Sequence, residues 1–254
     1  MIEPFLFLII FLFGLIIGSF LNCLIYRLEI EDSPFKGKSY CPKCKHVLKW
    51  PDLIPVLSFF LLRGRCRYCS QKISWQYPLV EIATGLLFLL IFNAGFSVFY
   101  FIIAPLLIVI FVYDLKHYLI SDQVIYPAII LVLFYNLLRP DLLTRLDLFL
   151  SAFGAALFFL LLVLITRGGG MGIGDIKLAF FMGLFLGWPN ILIALFLAFF
   201  LGAVVGTGLI LLNKKTLKSE VPFAPFLIIG TLIALFWGQN IIDWYWHFSL
   251  FLLK

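Results

Sequence analysis

The sequence predicts an all-α polytopic membrane protein of about eight transmembrane helices, with a small cytoplasmic zinc-binding domain inserted after the first helix. Three observations carry this expectation. The chain is 63% hydrophobic and only 13% charged, whereas charged residues make up about a quarter of an ordinary soluble domain. Its apolar runs approach the ~20 residues that a helix needs to cross a bilayer. Four of its five cysteines fall within the one long polar stretch, Arg27 to Tyr77.

Counted by their polar, glycine or proline interruptions, the apolar runs are Phe5 to Ile25, Leu79 to Phe96, Val98 to Tyr113, Val124 to Leu138, Leu148 to Thr166, Ile176 to Trp188, Ile191 to Leu212, and Pro222 to about Ile242; the sixth is short. The first is long for a signal-peptide core and is preceded by Glu3 instead of a basic region, so it is expected to remain in the membrane. Lys and Arg concentrate between Arg27 and Lys72 and recur at Lys116, Arg167, Lys214, Lys215 and Lys218, while the other connections carry little beyond Arg139 and Arg145. The positive-inside rule makes the basic loops cytoplasmic and the N-terminus external, and an even number of spans returns the C-terminus to the outside. Trp237, Trp244, Tyr245 and Trp246 then form an aromatic belt at the outer end of the last span. The net charge of +6 reflects this topology and attraction to anionic lipid, with no nucleic-acid signature.

The segment 27–77 is too small to bury much apolar surface by itself, so a staple is expected. Cys41-Pro42-Lys43-Cys44 and Cys66-Arg67-Tyr68-Cys69 supply one. Each CxxC wraps one side of a tetrahedral ion, and four thiolates favour zinc in a closed, structural site. Disulfides and a redox CxxC are the alternatives, against which stand a reducing cytoplasmic face and the lack of a βαβ pattern. His46 is a substitute ligand or a packing residue.

A glycine-rich turn places Asp175 in Gly172-Ile173-Gly174-Asp175-Ile176-Lys177, and a second carboxylate, Asp114, ends an earlier apolar run. A charged side chain at membrane depth costs about 2.5–3.5 kcal/mol on insertion scales, which makes such a pair a functional hypothesis. Under the topology above, both lie at cytoplasmic helix ends. Two adjacent carboxylates share a proton, so one can take a proton from water while the other polarises a scissile carbonyl. Capping of helix ends, or pairing with Lys116, Lys177 or Arg167, is the plainer reading. The predicted parts are residues 1–26 as the first transmembrane helix, 27–77 as the cytoplasmic four-cysteine zinc domain, and 78–254 as a transmembrane aspartyl protease core.

Other positions are open to two readings. Asp122 is either a rival member of the dyad or, with Ser121, a cap of the fourth span. His117, one turn from Asp114, either tunes it or is solvated. Glu81 either suits a helix N-terminus or has a role in the site. Gly18, Asn22 and Tyr26 recur every four residues and suit either helix packing or ligand contact, and Cys23 is expected to pack as a small apolar group. The run Gly168-Gly169-Gly170 predicts an irregular approach to Asp175, held within protein or facing water.

Together these motifs resemble the bacterial type IV prepilin leader peptidases, also called prepilin peptidase/N-methyltransferases, a family of GxGD intramembrane aspartyl proteases. The resemblance covers nearly the whole chain: Gly18-Ser19-Phe20-Leu21-Asn22 with Tyr26-Arg27-Leu28, both CxxC pairs, Ile54 to Ser58, Leu62 to Cys66, Tyr77 to Glu81, Asp114 with Asp122, Gly172 to Lys177, and Pro222 to Phe226. Ser121 and Ala224 depart from the usual Pro and Gly. The resemblance implies Asp114 and Asp175 as catalytic aspartates and Cys41, Cys44, Cys66 and Cys69 as zinc ligands. It implies cleavage of a basic leader from prepilins and pseudopilins at the cytoplasmic face of the inner membrane, just before their hydrophobic helix. N-methylation of the new terminus by S-adenosylmethionine is implied by resemblance alone. Competing readings are a leader peptidase without methyl transfer, a zinc-anchored scaffold, and a proton- or ion-coupled transporter, which would place acids at mid-span in two symmetric halves.

Overall fold

The computed structural model describes residues 2–33, 37–166, 171–212 and 221–252. Arg167, Gly168, Gly169 and Gly170, and the basic residues Lys214, Lys215 and Lys218, lie outside them. Nine α-helices are described: α1 (Ile2–Glu29), α2 (Leu57–Leu61), α3 (Gln76–Asn93), α4 (Val98–His117), α5 (Asp122–Leu137), α6 (Leu142–Ile165), α7 (Ile173–Leu186), α8 (Asn190–Leu211) and α9 (Ala224–Leu252). Six of them, α1, α3, α4, α6, α8 and α9, are long and apolar enough to cross a membrane. The apolar α5 and α7 are shorter, with 16 and 14 residues. With these two, the described residues hold eight apolar helices against about eight predicted spans, six of them long enough to cross.

The chain forms two compact units, residues 1–109 and 110–254. In the first, α1 packs along α3. Glycine makes this possible: a Cβ on Gly18 would lie 2.6 Å from the Cα of Glu81, and one on Gly14 would lie 2.7 Å from the Cα of Gly85. Small residues let membrane helices approach to backbone contact, where dispersion replaces the missing hydrophobic drive. Asn22, only 1% exposed, secures the pair by donating to the Tyr77 carbonyl at 3.0 Å. The expected packing face of α1 is thus a contact surface with α3.

In the second unit α7 packs against α5, α6, α8 and α9. Leu178, Ala179 and the run Phe181 to Phe185 are all buried. A helix of 14 residues spans only about 21 Å, against a hydrocarbon core of ~30 Å. Gly183 sits against the backbone of Ala152 on α6, leaving no room for a Cβ, and the buried Asn136 of α5 donates to the Leu184 carbonyl at 2.7 Å.

Candidate functional site

Two loops in the first unit carry the cysteines, and they are built alike. Tyr40 bridges Val47, the Cys41 N–H donates to the His46 carbonyl at 2.9 Å, and Lys45 takes a φ of +59°. Arg65 bridges Lys72, the Cys66 N–H donates to the Gln71 carbonyl at 2.8 Å, and Ser70 takes a φ of +57°. Each loop is a knuckle that turns two thiols toward the same point. Among the described residues the Sγ atoms of Cys41, Cys44, Cys66 and Cys69 all lie within 4.8 Å of one another, and Cys41 and Cys69 are 3.9 Å apart. A tetrahedral ion with 2.3 Å sulfur bonds requires sulfurs roughly 3.8 Å apart. The thiols therefore fit a metal site of the kind zinc takes. The Gln71 backbone favours ionisation of Cys69, but burial and the neighbouring Cys66, Cys44 and Cys41 push its thiol up to about 12. A dication is what such crowded sulfurs need in order to ionise.

His46 is not in this cluster; its ring lies on that of Tyr68, 3.7 Å between centroids. The segment joining the knuckles is tied to the second one by Asp52, a residue the sequence did not single out. Its carboxylate accepts from Arg67 Nε at 2.7 Å, the Tyr68 hydroxyl at 2.9 Å and the Lys49 N–H at 3.1 Å. Burial works against its charge, but these three bonds prevail and hold the carboxyl below the usual aspartate range.

In the second unit Asp114 lies in the last turn of α4 and is 5% exposed. Its Oδ2 accepts the Ala224 N–H at 3.2 Å. Ala224 is the first residue of α9, whose N–H has no partner inside its own helix. Asp175, in the first turn of α7, accepts the Gly172 N–H on Oδ2 at 3.1 Å. Both aspartates thus cap helix starts, as the plainer reading held, yet neither Oδ1 has a hydrogen-bond partner among the described residues. The two are close enough for the charge of Asp114 to act on Asp175. What aligns them is the turn after α4. Ile120 packs on Gly174, where a Cβ would lie 3.1 Å from its own, and Lys177 Nζ meets Asp122 Oδ1 at 2.6 Å.

That ion pair separates Asp122 from the pair it rivals. The Asp122 side chain is 58% exposed and matched to Lys177, whereas Asp114 is buried. Ser121 precedes α5 without a side-chain capping bond. Comparison with known proteins identifies the family. Residues 12–94 match the model of the bacterial peptidase A24 N-terminal domain, and residues 101–207 that of the type IV leader peptidase family. A prepilin leader peptidase/N-methyltransferase of Aeromonas salmonicida is 35% identical over 273 residues, covering 93% of this chain and 92% of the relative. Proteins of the same name from Legionella pneumophila and Bacillus subtilis are each 34% identical, covering 95% and 93% of this chain and 94% and 96% of themselves. The chain belongs to the type IV leader peptidase family. No solved structure matches it.

As a type IV leader peptidase family member it is a multi-pass membrane enzyme, and several of its polar residues find roles that the sequence concealed. Glu81 does not serve the N-terminus of α3. It is buried one turn further in, and its Oε2 accepts the Val56 N–H at 2.7 Å. Val56 adopts φ +61° and ψ −52°, and the Leu57 N–H donates to the Pro55 carbonyl at 2.5 Å. This is the rare γ-turn of positive φ, and a β-branched residue there costs about 1–3 kcal/mol. Glu81 is the group that holds it. Cys23 is not isolated, since the Ser39 hydroxyl lies 3.9 Å from its sulfur, and the His117 ring lies 4.6 Å from that of Tyr113.

Proposed function

We propose that the chain removes the basic leader from type IV prepilins and pseudopilins through Asp114 and Asp175, and then methylates the exposed terminus. The observation that carries this reading is the pair of carboxylates, each pinned through one oxygen by a backbone N–H and each with its other oxygen unbonded among the described residues. One aspartate, ionised, takes a proton from water. The other, protonated, donates to the scissile carbonyl oxygen. The water oxygen bonds to the carbonyl carbon, the C–N bond breaks, and the proton passes to the departing amine. In this reading the pair holds a single proton before attack. Asp122 and Lys177 keep α5 and α7 in register beside the pair.

The relatives' shared name supports both activities. In the second, the prepilin amine takes a methyl group from S-adenosylmethionine, leaving a neutral thioether and releasing a proton; no residue of this chain is assigned to the donor. Cys41, Cys44, Cys66 and Cys69 hold structural zinc in this reading. Residues 1–26 form the first membrane helix, 27–77 the zinc domain and 78–254 the protease core. The basic loops put the zinc domain and the aspartate-bearing helix ends at the cytoplasmic face of the bacterial inner membrane, with the N-terminus outside. The family and its named relatives favour this over a transporter.

Mass spectrometry of a prepilin N-terminus after incubation with the enzyme and S-adenosylmethionine tests both halves. The expected product lacks the leader and carries one methyl group. An intact leader would refute the peptidase, and a shortened, unmethylated product would refute the transferase.

A further inference from the structure

The short helix α2 turns one apolar face outward. Leu57, Phe60 and Leu61 stand at i, i+3 and i+4, which places them on one side of the helix. All three are more than half exposed, Leu61 most of all at 73%. The other side of α2 serves the protein itself, since Phe59 is buried and Gly64 lies against its ring. Trp75, also exposed, extends the outward face: its ring is 4.9 Å from that of Phe59 and 6.3 Å from that of Phe60.

Two contacts fix the level at which this face lies. Trp75 immediately precedes α3, one of the helices able to cross a membrane. At the other end of α2, the Val56 N–H is held by Glu81 of α3 at 2.7 Å. Glu81 is five residues beyond Gln76, or about 7–8 Å along the helix axis. The apolar face of α2 therefore runs beside the first two turns of α3. A helix lying in a bilayer surface buries its apolar face ~5–10 Å into the boundary between headgroups and acyl chains, which is the depth at which α2 is tied.

The charge around this face is one-sided. Residues 37–75 carry eight Lys and Arg and a single acid, Asp52, which is engaged by Arg67. Arg63 and Arg65, both exposed, follow α2 directly, and neither has an acidic partner among the described residues. Apolar side chains next to guanidinium groups of this kind suit a surface that is oily within and anionic at its edge.

We infer that α2 and Trp75 seat the knuckle segment in an anionic bilayer, with Leu57, Phe60 and Leu61 among the acyl chains and Arg63 and Arg65 on the lipid headgroups. The seating requires α3 to cross the membrane and is independent of either enzymatic activity. A protein partner or a second copy of the chain would also cover apolar side chains. The unpaired arginines and the fixed level at the end of a membrane helix favour lipid.

The test uses the full chain with a photo-crosslinking residue in place of Leu61, reconstituted in phosphatidylcholine vesicles that contain a minor share of phosphatidylglycerol. Mass spectrometry of the irradiated protein is expected to find lipid adducts, with phosphatidylglycerol over-represented about fivefold relative to its share, the worth of one Lys or Arg near an anionic surface. In Arg63→Gln/Arg65→Gln protein that excess should vanish while lipid adducts persist. With the arginines unaltered it should shrink as salt rises, a measurement that does not depend on how the double variant folds. Adducts to protein alone, or no lipid adducts, overturn the seating. Phosphatidylglycerol captured only in proportion to its share, or an excess indifferent to salt, overturns the assignment of the arginines to anionic headgroups.

Discussion

The cysteine knuckles and the aspartate pair place reactive side chains in opposite circumstances. Each knuckle is made by contacts within eight residues of chain, and its thiols converge on one another. Around a metal ion four sulfurs would complete a tetrahedral shell, leaving no position for a substrate. Asp114 and Asp175 are 61 residues apart in sequence and are fixed by the starts of two helices, α9 and α7. Each spends one oxygen on that anchorage and keeps another. Closure suits a staple, and an unfilled oxygen suits proton transfer.

The largest effect should come from removing charge at the acids without removing the caps. Asp114→Asn and Asp175→Asn each retain an oxygen able to accept the Ala224 or Gly172 N–H, so the helices should stay in place. Cleavage of prepilin should nevertheless fall by about 10²–10⁴-fold, the usual value of a positioned acid or base. Circular dichroism and melting should remain near wild type. Asp122→Asn should change the rate only a few-fold, because that carboxylate is exposed and serves Lys177. A larger loss from Asp122→Asn than from Asp114→Asn would reverse the assignment of the pair.

The closed site should respond differently. Binding of zinc to thiolates supplies ~10–16 kcal/mol of apparent folding energy in small zinc modules, and the segment between the membrane helices has little apolar core. Cys66→Ser, or a strong chelator, should lower the metal content measured by mass spectrometry and expose residues 37–75 to limited proteolysis before the membrane helices loosen. A metal-free preparation with an unchanged proteolytic pattern would remove the ion from the account of this segment.

How far the sequence disclosed this arrangement depends on the range of the forces involved. The apolar helices were legible because lipid imposes composition along every span, and the knuckles because two CxxC pairs encode their own turns. The short α7 was visible as a short run, but its burial by four neighbours was not. Asp114 could be noticed as a carboxylate ending an apolar run, whereas its bond to Ala224 joins residues 110 positions apart. Asp52 looks like any loop acid until Arg67, Tyr68 and Lys49 converge on it. The positive φ of Val56 runs against its side-chain type, so propensity pointed away from the turn that Glu81 maintains.

A smaller effect separates the two faces of α6. Gly183→Leu must push α7 off the Ala152 backbone, and overpacking of this kind costs about 1–3 kcal/mol. Its melting temperature should drop by several degrees. Gly154→Ala, on the open face, meets nothing and removes backbone entropy from the unfolded chain, so its melting temperature should be unchanged or slightly raised. Equal destabilisation by both would mean that the Gly154 face of α6 is packed within the chain.

The smallest expected effect concerns Lys177, which stands two residues from Asp175 yet pairs with Asp122 and lies 4.9 Å from the Tyr126 ring. The pair is short but its carboxylate is mostly exposed, so water and salt screen it; such pairs contribute about 0–1 kcal/mol. Lys177→Ala should therefore shift the melting temperature by a few degrees at most, and the shift should shrink as salt rises. Were Lys177 instead a counter-ion of the acid pair, its loss would displace the pH profile of cleavage. An unchanged profile alongside a small, salt-sensitive loss of stability would assign Lys177 to the junction of α5 and α7, leaving the two aspartates to titrate against each other.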